Sequence, residues 1–290
     1  MDLQWLRRQF IAALAADEEL FERLVLKGGS ALSLVHGIGL RASIDLDYSI
    51  ENDVENASDL GARIVGALRT RLEPLGFVVF DESFESRPRD HEHAADPRWG
   101  GYTGRFKLMG RDRFAALGGD MERARRESLS VSGDPQAGRK FRIEISTFEY
   151  CGEKTEEIIS DGVSCYVYTP QMIAAEKLRS LCQQMEEYGK RANPAPRARD
   201  FYDLHALLTE GRVELSEDAM HELVRVVFEA KEVSTGLLSR LEDYREFHRS
   251  DWPAVLNAIP PGRSRDYDFY VDFILSEVRK LQPLWEVDAP

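Results

Sequence analysis

The stretch LVLKGGSALSLVHGIGLRASIDLDYSI, residues 24–50, decides the fold. It opens on the apolar run Leu24 to Leu26, breaks at Lys27, Gly28 and Gly29, and continues in a helical pattern from Ser30 to about His36. That order reads as a glycine turn feeding a helix N-terminus. From Arg41 to Ile50 the apolar residues Ile44, Leu46 and Tyr48 alternate with Asp45 and Asp47, as a half-buried strand requires. Acids two residues apart on a strand share a face, where they can share divalent cations. The N–H groups of the upstream turn, with the Ser30 hydroxyl, can hold phosphate oxygens. Acid-x-acid alone is weak evidence, because 51 acids in 290 residues give about nine such matches by chance. The glycine-serine turn ahead of the pair gives it meaning.

Working outward, Leu3, Leu6, Phe10, Ile11 and Leu14 recur at the spacing of an amphipathic helix, as do Leu60, Ile64, Leu68, Leu72 and Leu75. Strand character follows at 77–80, 102–109, 141–148 and 163–168. Residues 81–101 and 123–138 read as a loop and an irregular insertion, being polar and rich in proline and glycine. In FRIEIS, Glu144 alternates with Ile143 and Ile145 and so faces away from them; it is the expected third acid, as metal ligand or as base. Thr169 and Pro170 open a helix as N-cap and first-turn proline. Helices are expected over 170–187, 199–210, 216–231, 234–248 and 265–281. The expected fold is α/β: a mixed sheet flanked by helices over 1–168, then an all-α domain over 169–290 that closes over the site.

A formal net charge of −13 and a pI near 5.1 argue against indiscriminate nucleic-acid binding. No DNA partner is expected. Arg105, Lys107, Arg111, Arg113, Arg123, Arg125 and Arg126, with Lys190, Arg191, Arg197 and Arg199, cluster enough to form a groove for an RNA backbone or merely to solvate a face. Cys151, Cys165 and Cys182 lack CxxC spacing and read as reduced thiols, hence a cytosolic location. No apolar run reaches the ~20 residues of a membrane span. His91 and His93 stand two apart in a polar segment and read as solvated rather than ligating. His205 reads as a packing residue.

These residues carry a resemblance. The first motif of AbiEii-type nucleotidyltransferase toxins, which include MenT-like toxins and belong to the DNA polymerase β superfamily, is similar to Lys27, Gly28, Gly29, Ser30, Arg41, Ser43, Asp45 and Asp47 as they stand here. The family's later-helix lysine is matched by Lys177 in AAEKLRSL, and its Arg-Asp-x-x-Asp motif by Arg199, Asp200 and Asp203 in RARDFYDLHAL. The matches span residues 27–205. The resemblance implies that Lys177 neutralises nucleotide phosphates and that Arg199 and Asp200 organise the far wall of the site. From the shared face, Asp45, Asp47 and Glu144 are expected to hold Mg²⁺ (or Mn²⁺) with an NTP as donor; the resemblance further implies an RNA acceptor, the acceptor end of tRNA. A role as the toxin of a toxin–antitoxin or phage-defence pair with a cognate antitoxin would follow. Read without it, Lys177 is a surface lysine on an amphipathic helix, and Asp200 and Asp203 decorate a helix start. A protein or small-molecule acceptor, or a catalytically silent nucleotide-binding module, are the alternatives.

Overall fold

The alternation read in the sequence builds one mixed sheet. The protein is seen in a computed structural model that describes residues 2–39, 45–88, 100–131, 138–191, 193–210, 212–260 and 262–286. Its strands are β1 (Val25–Lys27), β2 (Leu46–Ser49), β3 (Phe77–Arg87), β4 (Gly101–Gly110), β5 (Phe141–Ser146), β6 (Lys154–Ser160) and β7 (Val163–Tyr168), in the order β3-β4-β5-β2-β1-β7-β6. β2 pairs antiparallel with β1 and parallel with β5, while β4 pairs antiparallel with both β3 and β5.

Period-two burial gives the sheet two unlike faces. Leu26, Leu46, Tyr48, Ile143, Ile145 and Phe106 are buried on one. Helix α1 (Leu3–Ala15) covers that face, its Phe10 ring meeting Phe106 and Phe141 edge-on with centroids 5.1 Å apart. The helix starts where the Asp2 carboxylate accepts from the Gln4 and Trp5 N–H groups, a cap worth about 1 kcal/mol. After the short α2 (Glu18–Arg23) and the turn α3 (Gly28–Ser30), helix α4 (Ala57–Leu72) buries Leu60, Ile64, Leu68 and Leu72. The opposite face carries Lys27, Asp47, Glu144, Thr103 and Arg105, and the candidate site lies there.

Several expectations need correction. Residues 81–87 are strand, not loop: β3 runs on to Arg87 past a bulge between Phe80 and Ser83, with Asp81 at φ +54°. The bulge inserts a residue and breaks the period-two pattern, so only Phe84, stacked on Tyr102, marks the inner face beyond it. The polar tract after β4 is partly helical, as α5 (Arg111–Ala116) and α6 (Met121–Glu127). β6 was not expected; it is a charged outer strand with Ile158 74% exposed, joined to β7 by Asp161 and Gly162, both at positive φ. Arg41, Ser43, His91 and His93 lie outside the described residues.

The chain divides into two compact units, Met1–Ser30 with Ile44–Val167, and Ala31–Ser43 with Tyr168–Pro290. The second is helical: a π-helical turn Ala31–Val35, then α7 (Pro170–Cys182), α8 (Ala198–Thr209), α9 (Asp218–Glu229), α10 (Arg245–Arg249), α11 (Trp252–Asn257), α12 (Tyr267–Val278) and α13 (Gln282–Glu286), with 3₁₀ turns at Glu186–Tyr188, Thr235–Tyr244 and Arg279–Leu281. Thr169 caps α7 by accepting from the Met172 N–H at 3.2 Å. Ile173, Ala174, Leu178 and Leu181 on α7 are fully buried. The segment expected as one helix over 234–248 is instead the long 3₁₀ turn followed by α10. Among the described residues no helix is long and apolar enough to cross a membrane.

Candidate active site

Strand register assembles the first group of candidate residues. Lys27 pairs with Asp47, Asp47 with Glu144, Glu144 with Thr103, and Thr103 with Glu85, one row across five adjacent strands. Paired positions point the same way, so the row is continuous on the polar face. Asp45 precedes β2 by one residue and stands next to Arg142, because Leu46 pairs with Ile143.

The glycine turn closes on this row. Gly28 has φ +66°, and a Cβ there would lie 2.8 Å from Asp47 Oδ2. Only glycine combines that backbone with that approach. Ser30 is fully buried, and its hydroxyl donates to the Asp45 carbonyl at 2.6 Å, tying the turn to the residue that opens β2. The expected phosphate-holding hydroxyl thus has a structural hydrogen bond. Lys27 is also engaged: its ammonium donates to Ser146 Oγ at 3.1 Å and pairs with Glu149 at 3.4 Å.

Asp45 and Glu144 keep 38% and 32% of their side chains exposed. Arg142 Nη1 lies 3.6 Å from Asp45 Oδ2 and 3.4 Å from Glu144 Oε1, and Arg87 Nη1 lies 3.3 Å from Glu144 Oε1. Neither arginine was anticipated, although Arg142, two residues before Glu144 on one strand, had to share its face. Arg7 on α1 is buried and donates to the Val131 carbonyl at 3.0 Å; burial pushes its guanidinium down and the charge of Asp45 partly offsets that. The Thr103 hydroxyl is fully buried without a hydrogen-bond partner. Carboxylate oxygens are the hard donors that Mg²⁺ or Mn²⁺ prefers. Asp45, Asp47 and Glu144 fit such an ion in chemistry and shared face, yet no three acidic, histidine or cysteine groups among the described residues form a ready metal cluster.

The second group sits in the helical unit. Lys177 on α7 donates to Asp200 Oδ1 at 2.9 Å and Asp203 Oδ2 at 2.7 Å, both on α8, and all three side chains are at most 5% exposed. Burial would raise the Asp200 carboxyl, but the charges of Arg197, Lys177 and Arg199 outweigh it and hold the group far below the usual carboxylate range. Arg197 also donates to Asp200, and its backbone N–H donates to His248 Nδ1 at 3.0 Å. Burial is the main cause that brings His248 down to about 4. Arg199 is exposed. The lysine expected to meet phosphates is therefore enclosed by two carboxylates. His205 packs as expected, its ring 4.7 Å from that of Phe273.

Much of the basic stretch is locally paired: Arg105 with Glu85, Arg113 and Arg123 with Glu127, and Arg125 with Asp81 and Glu122.

No curated protein matches the sequence. An H. pylori protein whose crystal structure is described as that of a candidate nucleotidyltransferase superposes with a TM-score of 0.53 at 16% identity, covering 99% of this chain and 96% of its own. That likeness concerns the fold. An antigenic nucleotidyltransferase-like protein from Paracoccidioides brasiliensis reaches a TM-score of 0.39 at 15% identity, over 89% of this chain and 93% of its own, too low to weigh on the fold. The family model "Nucleotidyl transferase AbiEii toxin, Type IV TA system" matches residues 9–273. With that span matched, the chain belongs to the AbiEii nucleotidyltransferase toxin family of type IV toxin–antitoxin systems.

Proposed function

We propose that this nucleotidyltransferase moves an NMP from an NTP to a hydroxyl of RNA, at the acceptor end of tRNA, and that a cognate antitoxin keeps the activity in check, with defence against phage as its setting. The observation that carries the chemistry is the row Lys27, Asp47, Glu144 closed by the Gly28 turn, with Asp45 beside it. Nucleotidyl transfer demands little covalent chemistry from a protein; positioning and charge neutralisation supply most of the catalysis. Asp45, Asp47 and Glu144 would hold Mg²⁺ or Mn²⁺, whose charge offsets that of the triphosphate. The Gly28–Gly29 backbone allows close approach of phosphate oxygens to the row. The acceptor oxygen forms a bond to the α-phosphorus, the bond from that phosphorus to the bridging oxygen breaks, and pyrophosphate leaves. Where Glu144 is not itself a metal ligand, its carboxylate takes the acceptor proton. Arg87, Arg105 and Arg142 on the same face favour a phosphodiester acceptor over a neutral small molecule. Lys177, Asp200 and Asp203 are assigned to positioning, because their ion pairs fix α7 to α8.

The test offers α-labelled NTPs to the full chain with total RNA, with protein substrates, and alone. Label on RNA that disappears in Asp47→Asn supports the reading. Label confined to protein would replace RNA with a side-chain acceptor, and tight NTP binding without turnover under any divalent metal would leave a binding module.

A further inference from the structure

The acids on the polar face already hold a cation of the protein's own. Arg142 Nη1 bridges carboxylates from two elements, at 3.6 Å to Asp45 and 3.4 Å to Glu144. We propose that Arg142 is a built-in counter-ion for Asp45 and Glu144, which a divalent cation must displace when it binds. The inference rests on the metal-dependent reading of the site given above.

Register explains why this arginine is chosen. The parallel pairing of β2 with β5 brings Asp45 alongside Arg142 and Asp47 alongside Glu144, so the guanidinium stands at one corner of a patch whose other three corners are acids. Burial does not force the contact. The side chains of Arg142, Asp45 and Glu144 are 41%, 38% and 32% exposed, and water could solvate each of them separately. Mutual repulsion among three acids is what gives a cation a place there. Arg87 makes a weaker claim: among the described acids it pairs with Glu144, at 3.3 Å, and not with Asp45. A divalent ion with carboxylate ligands at about 2.0–2.6 Å brings two charges into the same gap and repels the guanidinium from it. By linkage, metal affinity is then reduced by however strongly Arg142 holds the acids. Once displaced, its donors are free for an anion.

Manganese binding to the nucleotide-free full chain, followed by electron paramagnetic resonance of free Mn²⁺, tests this without turnover. Removing a single competing charge should tighten binding about five- to tenfold in Arg142→Gln, within the usual range of coupling between sites. Arg69→Gln removes the same charge from a pair with Glu82 and should leave affinity unchanged. Asp45→Asn should lose binding. Because Arg142 is partly exposed, an unchanged thermal midpoint will show that the variant folds. Tighter binding in Arg142→Gln alone supports the proposal, as does binding that appears only in that variant. Unchanged or weaker binding there, with a wild type that binds and an Asp45→Asn that does not, overturns the counter-ion and leaves the metal site standing. Equal tightening in both arginine variants overturns it as a general charge effect. Absence of binding in every protein overturns both readings.

Discussion

Asp45, Asp47 and Glu144 line an open face of the sheet, whereas Asp200 and Asp203 are buried in the helical unit with Lys177 between them. The residue types are the same and the surroundings opposite. On the sheet, partly hydrated carboxylates and arginines can exchange partners at little cost, since exposed ion pairs are worth about 0–1 kcal/mol. In the helical unit the three charges have given up water, and Lys177 is the cation that Asp200 and Asp203 share, so losing it leaves Asp200 with Arg197 and removes the ion pair that Asp203 makes with α7. Acids of the first kind keep part of their contact with solvent. Those of the second kind hold two helices together, and the difference follows from whether α7 and α8 bury the charges or a strand displays them.

Substitutions can break that comparison. The largest effect is expected from Asp47→Asn, which should lower transfer about a thousandfold while the thermal midpoint stays within about 2 °C; radiolabel transfer and calorimetry measure the two. A collapse in stability would mean that the sheet acids are structural as well. Lys177→Met leaves two buried carboxylates without their shared cation and should cost about 3–5 kcal/mol, seen as a midpoint roughly 10 °C lower. Full stability with transfer lost would instead return Lys177 to the phosphates.

Acid sharpens the contrast inside the helical unit. His248 is neutral when folded, with its pKa brought from 6.5 to about 4. The unfolded chain therefore takes up a proton between those values that the folded one does not. The stability this provides is present above pH 6.5 and is lost as the pH falls toward 4, about 3 kcal/mol in all. Urea unfolding at pH 7 and pH 4.5 should show a drop that His248→Gln reduces. Asp200 behaves as a depressed acid: its contribution persists above the ordinary carboxylate range and fails only as stronger acid protonates it. The smallest effect is expected from Arg63→Gln, whose pairs with Asp17 and Glu19 are exposed; a urea-unfolding midpoint that falls as far as that of Lys177→Met would undo the distinction between open and buried pairs.

Legibility in the sequence divided along similar lines. The glycine turn, the β2 acids and Glu144 were readable because period-two alternation assigns a face and glycine marks a turn. Capping chemistry at Thr169 and Pro170 located the start of α7. Contacts that depend on distant pairing were not readable: Glu149 meeting Lys27, Arg87 meeting Glu144, and two carboxylates closing over Lys177. A local pattern carries no record of which strand lies beside which. The extension of β3 was hidden for another reason, since its bulge shifts the alternation by one residue and the pattern reads as noise.

The short excursion of residues 31–43 into the helical unit has a practical consequence for dissecting the protein. Leu32, Leu34 and Ile38 are buried, yet they sit in the chain between two strands of the sheet. A fragment truncated at Tyr168 would display these side chains to solvent and invite aggregation, while the complementary fragment would lack part of its own interior. Expressing the halves together, or grafting 31–43 onto the C-terminal piece by circular permutation, is the way to obtain each one intact.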